Sequence, residues 1–284
     1  MKLHTINTGK FKLDGGAMFG VVPKQLWSKL NPPDDNNMCT WSMRCLLLET
    51  ANKLILIDTG MGDKQDERFR SHFQPHDGGG LVSALNEKGF EAEDITDVLI
   101  THFHFDHVGG AVSLDAKGAL VPTLPNAKYW TSDAHYNWAM EPNFREKASF
   151  LRENFVPLKE QGVLEFLDME QDLEWLEGIQ LKFMFGHTEG MMLPVIPLDN
   201  GKKLVYMADL LPSSAHIRMP YVMSYDIRPL ETLKEKQLFF DEALAEDYYL
   251  FLEHDPIHEI CRIEKNEKGR FGLKETLNLN QIIN

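Results

Sequence analysis

The segment Thr101-His-Phe-His-Phe-Asp-His107 places three imidazoles and one carboxylate, His102, His104, Asp106 and His107, within six residues. Neutral imidazole nitrogens and carboxylate oxygens are the donors that divalent transition metals take. A lone histidine is more often an ordinary core or surface residue. Three at this spacing beside an aspartate read as a metal cluster. The cluster starts where the apolar run Asp97–Thr101 ends, and ligands in α/β proteins gather at the carboxyl ends of strands. Three more donors stand in the same position. His187 follows Ile179–Phe185, Asp209 follows Lys203–Ala208, and His254 follows Tyr248–Leu252. Seven donors exceed the four that one zinc usually takes. Two metals sharing one bridging carboxylate account for all seven.

Other polar residues near these positions have two readings each. Asp58 closes a strand and can accept the second N–H of a ligand histidine, fixing its tautomer; equally, it can be a turn residue ahead of Gly60. His216, seven residues past Asp209, and Tyr225 are candidates for a pocket wall, with Asp226 next in line. His4, His72, His76, His135 and His258 read as ordinary surface or core residues.

The elements that must carry these donors follow from hydrophobic periodicity. Strands are predicted at Lys2–Asn7, Cys45–Thr50, Lys53–Asp58, Asp97–Thr101, Ala127–Trp130, Gly162–Leu167, Ile179–Phe185, Lys203–Ala208 and Tyr248–Glu253. Helices are predicted at Leu81–Lys88, Ser132–Met140, Lys147–Asn154 and Pro229–Glu246. Leu230, Leu233, Leu238, Ala243 and Leu244 form the apolar stripe expected of the last one. Strands both alternate with helices and come in pairs, which is a mixed α/β pattern. No Pro/Gly/Ser linker or fixed-period repeat divides the chain, so one domain over 1–284 is expected.

Composition sets outer bounds. The 284 residues include 29 Lys plus Arg and 43 Asp plus Glu, a formal net charge of −14. This acidity disfavours nucleic acid, whose phosphates need a basic footprint. With 43% hydrophobic and 25% charged residues, the chain is an ordinary globular sequence. Cys39, Cys45 and Cys261 are a poor disulfide framework and fit a reducing compartment. There is no apolar run of signal-peptide or membrane-span length, so a soluble cytoplasmic protein with no membrane partner is expected.

Asp58-Thr-Gly60, His102-x-His104-x-Asp106-His107, Gly186-His187-Thr188, Asp209 and His254, in this order, resemble the metallo-β-lactamase superfamily of metal-dependent hydrolases. The resemblance implies a four-layer αβ/βα sandwich with a dinuclear site at one sheet edge. It implies that His102, His104 and His187 hold one metal, that Asp106, His107 and His254 hold the other, and that Asp209 bridges them. Zn2+ is the first expectation, with Mn2+, Co2+ or Fe2+ as alternatives.

Leu13–Pro23, Ile57–Gly62, Asp209–His216 and Met223–Asp226 look like the quorum-quenching lactonase and organophosphate-hydrolase branch. One position departs from it. Some lactonases of that group carry a tyrosine three residues after the bridging aspartate, where Pro212 stands here, so a tyrosine-assisted mechanism does not transfer. The chemistry expected is attack by a metal-bridging hydroxide on an ester or lactone such as an N-acyl homoserine lactone, with Asp106 moving the proton. Two divalent ions against Asp106, Asp209 and that hydroxide leave a formal charge of about +1, suited to a neutral centre that becomes anionic. A phosphotriester hydrolase and a mononuclear iron persulfide dioxygenase are the alternatives.

Two aromatic-rich stretches, Met18–Met43 and Tyr129–Phe155, are either walls for an apolar substrate portion or residues of the core or of a homodimer interface.

Overall fold

A computed structural model describes residues 1–169 and 173–282. Its contacts divide the chain into two compact units, Met1–Lys10 with Met43–Glu170, and Phe11–Ser42 with Gln171–Asn284. The expected mixed α/β class is what the chain adopts.

The sheet of the first unit has the strand order Lys2–Asp14, Met38–Glu49, Leu54–Ile57, Asp97–Leu99, Lys128–Ser132, Leu164–Leu167. Its last four strands run parallel to one another. Leu54-Ile-Leu-Ile57 is an unbroken apolar run, as suits a strand covered on both faces, and Ile55, Leu56 and Ile57 are fully buried. Helices Gly80–Asn86 and Asp133–Met140 deliver Leu81, Leu85, Tyr136 and Ala139 to a core shared with Val98, Phe103 and Tyr129. Parallel strands end on the same side. The chain just past Ile57, Leu99 and Ser132 therefore brings Asp58, the Thr101–His107 loop and His135 to one end of this sheet.

One expected element is absent. Residues 147–154 do not form an α-helix; only a short 3-10 turn occurs, at Arg152–Asn154. The side chain of Asn143 accepts the N–H groups of Arg145 and Glu146. This is the bonding of a helix N-cap, but the backbone bonds that follow, Lys147 N–H to the Asn143 carbonyl and Ser149 N–H to the Glu146 carbonyl, are isolated turns that do not continue as a ladder.

The sheet of the second unit runs Phe271–Leu277, Ile260–Lys265, Tyr249–Phe251, Lys203–Tyr206, Met191–Pro197, Gln180–Met184, Leu173–Glu174. Lys203–Tyr206 and Tyr249–Phe251 are its parallel pair, and Asp209 and His254 lie just beyond their carboxyl ends. Strand Met191–Pro197 has no clear strand signature in the sequence, because two prolines and two methionines obscure it. Its first six residues are buried, and Pro194 pairs with Leu181. The hairpin Ile260–Lys265/Phe271–Leu277 carries little sequence signal, since its outer strand alternates poorly and buries only Phe271.

Helix Pro229–Ala245 forms as expected but turns a different face inward. The buried positions are Thr232, Lys236, Phe239, Phe240 and Ala243, while Leu230 and Leu238 are 80% and 63% exposed. Lys236 decides the rotation. Its ammonium donates to the backbone carbonyls of His216, Arg218 and Tyr221, so a cation sits inside with three acceptors satisfied.

Candidate metal centre

In the first unit, the loop after Asp97–Leu99 is built around Asp58. Its carboxylate accepts the backbone N–H and the hydroxyl of Thr101, each at 2.7 Å, and the Nδ1–H of His107 at 3.1 Å. The Thr101 hydroxyl has one proton, given to Asp58. Toward His102 Nδ1, 3.1 Å away, it therefore accepts. His102 then carries its proton on Nδ1 and presents a bare Nε2. That Nε2 lies 3.1 Å from Nδ1 of His104. Asp106 and His107 sit on the short helix Phe105–Val108, both buried.

Two further contacts shape this loop. Thr59 donates its backbone N–H and its hydroxyl to the His107 carbonyl. Gly109 and Gly110 let the chain after Asp58 lie against the cluster: a Cβ on Gly110 would meet the Thr59 carbonyl oxygen at 2.1 Å, and one on Gly109 the Met61 oxygen at 1.9 Å.

In the second unit, both oxygens of Asp209 face imidazoles. His187 Nε2 is 3.0 Å from Oδ2 and His254 Nε2 is 3.1 Å from Oδ1. The opposite nitrogens are committed elsewhere. His187 Nδ1 donates to Asp226 at 2.8 Å, and His254 Nδ1 donates to the Ser42 carbonyl at 2.7 Å. In its neutral form each ring turns a lone pair toward a carboxylate, so either a shared cation or a second ring proton must sit between them. Burial pulls the pKa of His187 down, but the carboxylates of Asp209 and Asp226 outweigh it and lift the value to about 10. Both carboxylate positions involve left-handed backbone, Asp58 at φ 59° and Ala208, just before Asp209, at φ 40°. Non-glycine residues held there cost about 1–3 kcal/mol each and cluster at functional sites.

These nitrogen and oxygen donors suit zinc and its neighbours, and they are buried in residues able to hold a metal. Residues that the sequence does not mark as partners of the ligands join them. Asp226 orients His187. His135, in the helix capped by Ser132, accepts the N–H of Phe103 at 2.8 Å, between His102 and His104. Glu146, 2% exposed, lies 3.6 Å from His104 Nε2. Asp226 sat beside residues already singled out; nothing local marked the other two.

His216 is buried, with Nε2–H donating to the Met18 carbonyl at 3.0 Å and Nδ1 accepting from Ser213 at 2.8 Å; it stacks on Phe19 at 4.6 Å. Nε2 thus holds the 18–19 segment, and Nδ1 is engaged by the turn that carries His216 itself. Tyr225 is partly exposed. The carbonyl of Pro212 accepts the His254 N–H at 3.1 Å. Most residues of the two aromatic stretches are core: Phe19, Trp27, Trp41, Tyr129 and Phe155 are fully buried. Phe144 is fully exposed and, with Met140, Asn143, Phe150 and Arg152, lines a cavity of about 380 Å³.

Residues 44–244 match the metallo-beta-lactamase superfamily. The chain is 28% identical to an N-acyl homoserine lactonase of Bacillus cereus over 66% of its own length and 67% of the relative's. Among solved structures, a probable metal-dependent hydrolase from Staphylococcus aureus superposes with TM-score 0.84 at 29% identity, covering 98% of each chain. The dizinc quorum-quenching lactonase AidC shares the fold, with TM-score 0.77 at 24% identity over 97% of this chain and 95% of its own. The donor clusters and these likenesses agree: the chain belongs to the metallo-beta-lactamase superfamily and is a metal-dependent hydrolase.

Proposed function

We propose that this hydrolase opens N-acyl homoserine lactones at a dinuclear zinc site, in the cytoplasm, with the whole chain acting as one catalytic domain. His102, His104 and His187 would hold one ion, Asp106, His107 and His254 the other, and Asp209 would bridge. The observation that carries this reading is the polarity of the rings. In His102, His107, His187 and His254 the Nδ1–H is committed to an oxygen acceptor, so each keeps Nε2 as a donor for metal. The lactonases named above support the substrate class, as does a solved lactone hydrolase that carries N-hexanoyl-L-homoserine.

Bound ions supply an acidified water and stabilise negative charge on the carbonyl oxygen. The chain's own residues do the rest. Asp106 takes the proton released at attack and returns it to the departing alkoxide. Asp209 keeps His187 and His254 in register through its two oxygens. Asp58 and Asp226 hold the tautomers of His107 and His187. The unbridged, buried Cys39, Cys45 and Cys261 support a reducing compartment, and the exposed Val21 and Leu26 support a homodimer.

Pro212 favours a second reading, a phosphotriester or simple ester hydrolase, because no tyrosine hydroxyl stands there to meet a lactone carbonyl. The test is a kinetic panel on enzyme loaded with zinc, manganese or cobalt. It compares N-acyl homoserine lactones of several chain lengths with aryl esters and a phosphotriester. The lactones should show the highest kcat/KM by tenfold or more; a phosphotriester or aryl ester in that place overturns the lactonase reading.

A further inference from the structure

Among the five histidines read as ligands, His104 is arranged differently. It directs Nδ1, not Nε2, toward its neighbour His102, and its outward nitrogen is Nε2. Beside that Nε2 lies Glu146, in the turns just ahead of residue 147. Glu146 is itself held on one side. Its Oε2 accepts the indole N–H of Trp138 at 2.9 Å and the amide of Asn143, whose own oxygen is engaged by the Arg145 and Glu146 N–H groups. Oε1 is the oxygen that faces His104, at 3.6 Å. This exceeds a hydrogen-bond length, but a buried carboxylate at that range still favours a proton on the nearer ring nitrogen. Phe150, 4.9 Å from the His104 ring, packs against it.

We infer that Glu146 is a positioning residue for the metal site: it holds the His104 proton on Nε2 and thereby bares Nδ1 for the metal. The inference rests on His104 being a ligand, as in the proposed function. It yields an ordering of variants that packing alone would reverse. In Glu146→Gln the two donors, Trp138 and Asn143, bind the amide oxygen, so the NH2 group is turned toward His104 Nε2. That nitrogen must then accept, the proton moves to Nδ1, and the metal-facing lone pair is lost. Glu146→Ala leaves either tautomer open, and metal binding selects the right one.

The experiment measures zinc affinity of the full-length protein by competition with a chelator of known strength. It also records the ring 15N shifts of His104 in the metal-free wild type and in Glu146→Gln. Zinc affinity should fall about 10-fold in Glu146→Ala and about 100-fold in Glu146→Gln, the range expected when the partner of a ligand histidine is lost. The 15N shifts should show the His104 proton moving from Nε2 to Nδ1. If Glu146→Gln, the isosteric change, binds zinc at least as tightly as Glu146→Ala, or if its His104 keeps the Nε2 proton, the inference is wrong. The 15N comparison stands even if Glu146→Ala does not fold. His104→Ala separates the two claims: unchanged zinc binding there removes His104 from the ligand set, whereas weakened binding there with the reversed order at Glu146 overturns the positioning role alone.

Discussion

At the scale of single residues, the centre is a set of proton assignments. Imidazole can present either nitrogen, and the acceptor on its far side decides which. Asp226 makes this decision for His187. Asp226→Asn, which can offer an NH2 group to Nδ1, is expected to weaken zinc binding by about 10–100-fold with little loss of fold, as measured by chelator competition. Asp58 differs because it also accepts two bonds from Thr101. Asp58→Ala should lower unfolding free energy by about 2–4 kcal/mol in urea titrations, since it leaves buried donors without an acceptor. The donor types were legible in the sequence, as was Asp58 as a supporting carboxylate. Glu146 and His135 were not: Glu146 lies 42 residues from His104, and His135 32 from Phe103, in a stretch whose aromatic residues point to a pocket wall or core and not to support of a metal ligand.

At the scale of elements, strand ends were easy to find and helix faces were not. Apolar runs such as Leu54–Ile57 announce buried strands, and the donors follow each run directly. The long helix was located within a residue of its observed end, yet counting leucines picked the wrong face. Lys236 makes three hydrogen bonds to the 216–221 loop, and no hydrophobicity pattern contains that. Lys236→Met keeps the length of the side chain but takes the ammonium from the His216 and Tyr221 carbonyls, while the Arg218 carbonyl keeps the N–H of Tyr221. It should lower unfolding free energy by about 3 kcal/mol or more and bring the Tm down accordingly, checked by calorimetry.

At the scale of the whole molecule, stability should depend on metal and on pH. Buried ligands facing one another are relieved by a bound cation, and a ligand at 1,000 times its Kd adds about 4 kcal/mol. Chelation should therefore lower the Tm in scanning calorimetry, and added zinc should restore it. The pH response has a specific contributor. Burial drives the pKa of His216 down to about 3, from an ordinary value of 6.5. Between these values the unfolded chain holds a proton that the folded chain does not. Stability from this group is thus complete above pH 6.5 and is lost as pH falls toward 3, by about 5 kcal/mol in all. His216→Phe, which keeps the ring but not the bonds to Met18 and Ser213, should be destabilised at pH 7 by about 1–3 kcal/mol. It should also show a flatter acid limb than wild type in urea titrations from pH 7 to 4.

What the chain determined by its sequence alone was the chemistry available: nitrogen and oxygen donors, their number, and their place at strand ends. These are short-range properties, since strand period and motif spacing are settled within a few residues. The tertiary structure decided which nitrogen each imidazole offers, which face of the long helix is buried, and which carboxylates orient ligands. Those outcomes depend on partners distant in sequence, such as Asp226 39 residues from His187 and Ser42 212 residues from His254. A hydrogen bond between such partners leaves no periodic trace in either segment, so only the folded chain records it.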